Sequence, residues 1–571
     1  MVPIRLLPPE VTARIAAGEV VERPASAVKE LVENALDAGA TSVAVEVKGG
    51  GVTLLRITDD GCGIPADEVP LALERHATSK VAVADDLDAI GTLGFRGEAL
   101  HAISAVSLLT VTTRTHDADV GLRYSVRWGE HEGRELIGCA PGTTITVQEL
   151  FGNTPARRNF LRSATAEASR IADTVSHLAL AHPEVRFRLV VEGRTTLSTP
   201  GSGSLREAVA AVYGVDVAHA LLDVSAELEG YTLLGLASPP SLTRANRGYQ
   251  SFFVNGRWIY HRALSVALEE AYQHLLQQGR YPVAVLHLAL PPADLDVNVH
   301  PSTREVRFRQ EGRAFRLVQQ GVRGALLAFS PVQSVNVPSL LQPTHPTSLS
   351  NAAPAATSAL PTLSPPALSA PPPAATPRQA MPLLRVFGQV EQTYVVAEGP
   401  DGVYLIDQHA AHERILFEQV KAQAAGRTPA QQALLEPWSV TLTPRQEALL
   451  AGSREALEGL GFGVEPFGER TWLVRAVPAV LPKRESAPGH ALVAVLDLMA
   501  GEQRVSERGD LAAASIACHG AVRAGMTLGI LEMVELVRQL EQTASPHTCP
   551  HGRPTMVHLS SRHLEREFGR R

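Results

Sequence analysis

Glu30, Asn34 and Asp37 are spaced so that a helix across this stretch carries them on one face, with Val28, Leu31, Val32 and Ala35 on the other. The carboxylate of Glu30 can orient and deprotonate a water, and the uncharged oxygen of Asn34 suits a hard cation such as Mg²⁺. Downstream, Thr53 to Ile64 reads as a strand running into a Gly-rich turn that delivers Asp59 beside the helix. Asp59 can accept a hydrogen bond from an exocyclic amine, while Gly61 and Gly63 let the backbone approach a flat base. Together these residues describe a nucleotide site without a Walker loop. The bland alternative is an amphipathic surface helix with its acids in water.

A second constellation lies near the other end of the chain. His409 and Glu413 are four residues apart within Asp407 to Glu418, hence on one helix face, which is usable metal-ligand spacing. Cys518, and Cys549 with His551, supply soft and borderline ligands that favour zinc or a similar ion. Taken singly, each is better explained as a buried cysteine or a core histidine, and it is the combination that points to a metal.

The elements that must position these groups are legible as period and punctuation. Pro24 suits a first helical turn and Gly39 an end. Strand-like alternation at 42–48, 54–58, 107–113, 124–128 and 143–149, between helical stretches, predicts an α+β sandwich with one helical layer over residues 1–210. A second, smaller α+β unit is expected over 211–330, with strands at 231–237, 250–254 and 283–290 and an Asn255-Gly256 turn. Residues 331–382 turn to Pro, Ala, Ser, Thr and Leu, a composition that forms no packed core and reads as a flexible tether. The α+β pattern restarts over 383–571 with a strand pair at 393–397 and 402–406, and about 437–511 reads as an inserted subdomain.

The bulk properties bound the answer. A chain of 571 residues allows three or four domains, and 45% hydrophobic residues say globular. Against 52 Lys+Arg stand 59 Asp+Glu, a net charge of −7 that excludes a generally basic nucleic-acid coat, so any DNA contact is a local patch. The four dispersed cysteines form no disulfide framework, the N-terminus is a poor signal peptide, and no stretch approaches ~20 apolar residues. A cytoplasmic, nucleoid-associated protein with no membrane contact is expected.

Glu30 to Gly39, Asp59 to Ile64, Gly94 to Leu100 and Gly142 to Thr144, in this order behind Ile15 to Ser26, resemble the motifs of the GHKL ATPases, specifically the MutL mismatch-repair branch. The resemblance implies a Bergerat-type sandwich that binds ATP and Mg²⁺. It assigns Glu30 as the general base and Asn34 to the metal. Asp37, Asp59, Gly61, Gly63, Thr78, Lys80, Gly94, Phe95, Arg96, Gly97, Glu98, Ala99, Leu100 and Thr143 are assigned to the nucleotide, with His76 to Lys80 and Gly94 to Gly97 in a closing loop. Phe151 to Leu161 also matches, and its Arg157 and Arg158 either transmit nucleotide state or are simply solvated. In the second domain Arg257 and Arg262 are expected to touch DNA phosphates, or else to be a plain surface pair. Asp296 to Phe308 resembles the segment that sends a lysine onto the terminal phosphate, but here Thr303 holds the lysine position and Arg304 follows. Either Arg304 or Lys80 partly substitutes, or hydrolysis is slow.

The C-terminal resemblance is to the endonuclease-type members, through Asp407 to Glu418, Cys549 to Pro554 and Phe568 to Arg570, with His519 where a basic residue is usual. It implies that Asp407, His409, Glu413, Cys518, Cys549 and His551 gather around one or two ions, Zn²⁺ and/or Mn²⁺, that activate water for phosphodiester cleavage. Asp407 and Glu413 are the candidates for chemistry. Gln432, Leu435 and Pro437 look like a peptide that docks on the replication sliding clamp, though an ordinary helix-ending Pro fits too. Double-stranded DNA, a homodimer through the C-terminal domain and a MutS-type mismatch sensor are the other implied partners. Two readings follow: an ATP-gated repair nuclease, or an ATP-gated matchmaker whose Cys/His cluster holds a structural zinc.

Overall fold

The computed structural model describes residues 20–81, 91–94, 96–273, 275–276, 280–296, 306–329, 384–425, 430–481, 488–499, 505–522, 526–550, 553–568 and 570. The expectations that rest on Phe95, Thr303, Arg304, His551 and the 331–382 tether lie outside those residues, as do residues 15–19 of the stretch Ile15 to Ser26.

Helix α1 (Pro24–Asp37) opens with Pro24 in its first turn and is followed by Gly39 at φ +73°, a conformation that glycine adopts without strain. Val28, Leu31, Val32 and Ala35 are buried beneath it. Behind α1 runs a mixed sheet of β1 (Ser42–Lys48), β2 (Leu54–Asp59), β3 (Leu108–Arg114), β4 (Gly121–Arg127), β5 (Glu130–Ile137), β6 (Gly142–Gln148), β7 (Arg186–Val191) and β8 (Arg194–Ser198), in the order 5-4-3-6-2-1-7-8. Helices α1, α2 (Ala99–Ala105) and α3 (Ala164–Ala181) contribute to the same core. The strand expected over 124–128 instead ends at Arg127, because Trp128 and Gly129 turn at φ +53° and +90° into β5, which the sequence reading missed together with the β7/β8 hairpin. The register sets Asp59 directly opposite Thr143 on neighbouring strands, so two separate motifs meet at one sheet position.

The next sheet comprises β9 (Leu222–Leu228), β10 (Tyr231–Ala237), β11 (Gln250–Val254), β12 (Arg257–Ile259) and β13 (Ala284–Ala289), ordered 12-11-13-10-9. Helices α4 (Arg262–Ala271) and α5 (Glu311–Phe329) pack against it. Asn255 (φ +48°) and Gly256 (φ +79°) make the expected tight turn between β11 and β12.

In the C-terminal part β14 (Arg385–Val390), β15 (Tyr394–Gly399), β16 (Gly402–Asp407) and β20 (Met556–Ser560) form one sheet in that order. Helix α6 (Gln408–Ala425) leaves directly from β16. Then come β17 (Gln431–Thr441), α7 (Pro444–Gly459), β18 (Gly463–Gly468), β19 (Thr471–Pro478), α8 (Pro488–Met499), α9 (Val505–Gly520) and α10 (Ile530–Glu541). Strands β17, β19 and β18 make a separate small sheet, and their core continues into Val420 of α6 and Ile516 of α9. Gln432 to Pro437 lies in β17, bulged between Ala433 and Trp438, so Pro437 ends no helix. No helix among the described residues is long and apolar enough to cross a membrane.

Candidate functional site

Helix α1 presents Glu30, Asn34 and Asp37 on its half-buried face, as its period predicted. Lys80 reaches across with its ammonium 2.8 Å from the Asn34 Oδ1 and 2.6 Å from the Asp37 Oδ2. A cation therefore already stands against the Asn34 oxygen to which Mg²⁺ was assigned, with the Asp37 carboxylate beside it, and these oxygen donors fit a hard ion. Asp37 also accepts the backbone N–H groups of Leu93 (2.8 Å) and Gly94 (2.9 Å), which seats the 92–94 segment over the helix. Thr78 is held in the same loop, its Oγ1 accepting the Lys80 N–H at 3.2 Å. Gly97, at φ +61°, accepts the His76 N–H, and a Cβ there would sit 2.5 Å from the Ala77 carbonyl oxygen. Glu98 stands before α2 and meets Arg75 at 3.4 Å, and Ala99 and Leu100 begin that helix.

On the sheet side, Asp59 accepts the Gly61 N–H at 2.9 Å and the Thr143 N–H at 3.3 Å. Burial pushes its carboxyl above the usual range, and those two amides pull it back. Gly63 is required where it stands: at φ +74°, a Cβ would lie 2.3 Å from the Arg114 carbonyl oxygen. The Thr113 hydroxyl accepts the Ile64 N–H (2.8 Å) and touches the Thr143 hydroxyl (3.1 Å). Glu30, Asn34, Asp37, Asp59, Lys80, Gly94 and Thr143 thus belong to one helix-and-sheet corner.

Several residues in this corner escaped the sequence reading. Lys29 bridges Glu30 (3.2 Å) and Glu33 (2.9 Å), fixing the general-base candidate. The signal was available, since 29 and 33 are an i,i+4 pair. Burial raises the Glu33 carboxyl to about 7 against the opposing pull of Lys29. Asp60 secures the approach to β1 by accepting the N–H groups of Thr41 and Ser42, each at 2.8 Å.

Arg257 needs correction. Instead of pointing outward toward a phosphate, its guanidinium donates to the carbonyl oxygens of Leu93, at 3.0 Å, and Thr92, and it lies in the field of Glu33, Asp37 and Glu30. The second domain therefore touches the nucleotide loop through an arginine. Its neighbour Trp258 stacks on His177 of α3 with centroids 3.5 Å apart. Arg262, the first residue of α4, is exposed, as a phosphate contact requires.

The C-terminal cluster assembles in part. His409 Nε2 is 3.2 Å from Glu413 Oε1, and His409, Glu413 and Cys518 bring one ligand atom each within 4.8 Å of one another. The His409 Nδ1 is 2.9 Å from the Val522 carbonyl oxygen, which leaves Nε2 facing the cluster, the orientation metal-binding imidazoles take. Cys518 first and Glu413 second raise the His409 pKa to about 10, the mark of an imidazole surrounded by ligand-type acceptors. The N, O and S donors fit zinc. Cys549 is buried, its N–H donating to the Arg553 carbonyl at 2.8 Å, and it is not among the residues that converge.

Asp407 and Glu418 have structural work that the sequence reading did not give them. The Asp407 Oδ1 accepts the N–H groups of His409 (2.9 Å) and Ala410 (3.0 Å), capping α6. Glu418 accepts the Ala544 N–H through both oxygens, at 2.9 and 2.8 Å. His412 Nδ1 accepts the Val522 N–H at 3.0 Å, pinning the segment after α9. Leu435 is fully exposed on bulged β17.

Three family descriptions match separate stretches of the chain: "Histidine kinase-, DNA gyrase B-, and HSP90-like ATPase" over 22–149, "DNA mismatch repair protein, C-terminal domain" over 209–327, and "MutL C terminal dimerisation domain" over 387–528. The chain is 42% identical to DNA mismatch repair protein MutL of Desulforudis audaxviator over 575 residues, covering 100% of both. It is 45% identical to that of Acidiphilium cryptum over 584 residues, again covering 100% of both, and 40% identical to that of Pelotomaculum thermopropionicum over 597 residues, covering 98% of both. Among solved structures it is similar to "Aquifex aeolicus MutL ATPase domain complexed with ADP", 32% identical, covering 48% of this chain and 94% of that one, with a TM-score of 0.38.

Proposed function

Because the chain belongs to the MutL family of DNA mismatch repair proteins, we propose that it is an ATP-gated repair nuclease, whose N-terminal ATPase governs strand nicking by a metal site in its C-terminal half. At the ATPase, Asn34 would hold Mg²⁺, which neutralises phosphate charge, while Asp59 receives the base and Glu30, steadied by Lys29, orients the attacking water. Lys80 would leave Asn34 for the phosphates.

The observation that carries the nuclease reading is the convergence of His409, Glu413 and Cys518 with the imidazole already oriented by the Val522 carbonyl. A metal held there would lower the pKa of a bound water. Exposed Ile530, Leu531 and Val534 on α10, with Phe387 and Val390 on β14, suit a homodimer contact. Arg262 is offered for double-stranded DNA, Gln432, Leu435 and Pro437 for a sliding clamp, and a MutS-type sensor as the upstream partner.

The matchmaker with a structural zinc has its own support, since Asp407 caps a helix through its Oδ1 and Glu418 holds Ala544, so both acids have a structural use apart from chemistry. Nicking of supercoiled DNA in Mn²⁺ separates the two. Glu413→Gln should abolish nicking while ATP binding persists, and full nicking by that variant refutes the nuclease assignment.

A further inference from the structure

Helix α3 separates two surfaces. Its inner face packs on α1, the helix of Glu30 and Asn34, and its outer face is covered by α7 of the inserted subdomain. Three features make this outer contact a built seat. Gln446 donates to the Tyr249 hydroxyl at 2.8 Å and to the Asp497 Oδ1 at 2.6 Å, and Tyr249 donates to the same Oδ1 at 2.9 Å. Tyr249 belongs to the second domain, Gln446 and Asp497 to the inserted subdomain, and all three are buried. Without Tyr249 the subdomain would expose an aspartate that loses one of its two hydrogen-bond donors and keeps Gln446. Gln446 is in turn locked by the turn before α7, where its Oε1 accepts the Thr443 N–H at 2.9 Å.

Around this triad, Arg445 meets Asp173 of α3 at 3.3 Å, its carbonyl accepts the Ser169 hydroxyl at 3.2 Å, and Asn246 donates to the Asp497 carbonyl at 3.4 Å. Gly452 lets the helices close up, for a Cβ there would lie 2.3 Å from the Thr165 side chain. A buried hydrogen-bonded network between separate parts of a chain is costly unless every partner is present, so it specifies one docking geometry.

We propose that the inserted subdomain is an intrachain docking partner of the ATPase half, seated on α3 and Tyr249, and that seating is energetically coupled to nucleotide binding. The physical route is contiguous: α3 carries α1 on its inner face, and its His177 stacks on Trp258, whose neighbour Arg257 holds the 92–94 loop. Whatever shifts the loop or α1 reaches the seat through this one helix, and linkage makes the coupling reciprocal. The docking part is independent of the nuclease reading, and only the coupling part uses the ATPase.

The test uses the full chain. In a Thr165→Cys, Gly452→Cys protein, whose facing Cβ positions lie close enough for a disulfide after a small shift, mild oxidation should give a reducible, monomer-sized species of altered mobility. Neither single-cysteine variant should give it. No such species, or only dimer-sized species, overturns intrachain docking. Gly452→Gln, a good helix former on the face of α7 that meets Thr165 of α3, unseats the subdomain without weakening its own helix. It should shift the ATP KM by at least about fivefold, the lower end of ordinary coupling. An unchanged KM overturns the coupling.

Discussion

Arg257→Ala is the sharpest perturbation of the ATPase loop. Two hydrogen bonds from a charged donor, to the carbonyls of Leu93 (3.0 Å) and Thr92, disappear from a segment whose amides are held from the opposite side by Asp37. Bonds to charged groups contribute roughly 1.5–3 kcal/mol each, but solvent replaces much of this in an open loop, which leaves about 2 kcal/mol for the pair. That is roughly 30-fold in the closed-to-open ratio of the loop. Steady-state hydrolysis should therefore lose about that factor in kcat/KM, chiefly through KM, and proteolysis between Ala77 and Gly97 should accelerate. Arg257→Lys keeps the charge but not the planar fork, so it should recover only part of the loss. An unchanged KM together with weaker DNA binding and a shallower salt slope would refute the loop assignment and return Arg257 to the phosphate backbone.

Acid should weaken the second domain through His287, whose pKa burial depresses to about 4. The unfolded chain binds the proton near the ordinary 6.5, so stability is whole above pH 6.5 and is lost as pH falls toward 4, by on the order of 3 kcal/mol. His287→Phe, which can keep the stacking on Phe253, should flatten the fall of the melting temperature over this window; an equally steep fall excludes His287 as its source. Leu531→Arg, at a side chain 81% exposed, should leave the fold intact but convert a dimer to monomers by light scattering; retention of the dimer would place the contact elsewhere.

What the sequence disclosed, and what it withheld, divides along a physical line. The polar face of α1 was legible because a 3.6-residue period fixes which side chains share a face, and the same rule paired His409 with Glu413. Cys518 joins them only because α9 packs against α6, a tertiary fact that no local spacing encodes. Arg257 marks the same boundary: the Asn255-Gly256 turn dictated the hairpin, but the direction of its arginine depends on how the second domain meets the loop.

Asp407 is the opposite case. An aspartate immediately before a helix is an ordinary N-cap, and its chemical prominence hid a role that the residue type already advertised. An acid that caps a helix at a metal cluster serves both roles only if its second oxygen remains available. Asparagine preserves the cap and removes the charge, so Asp407→Asn isolates whatever chemistry the carboxylate performs. Retained folding with lost nicking would assign it to the reaction; retained nicking would leave it a cap.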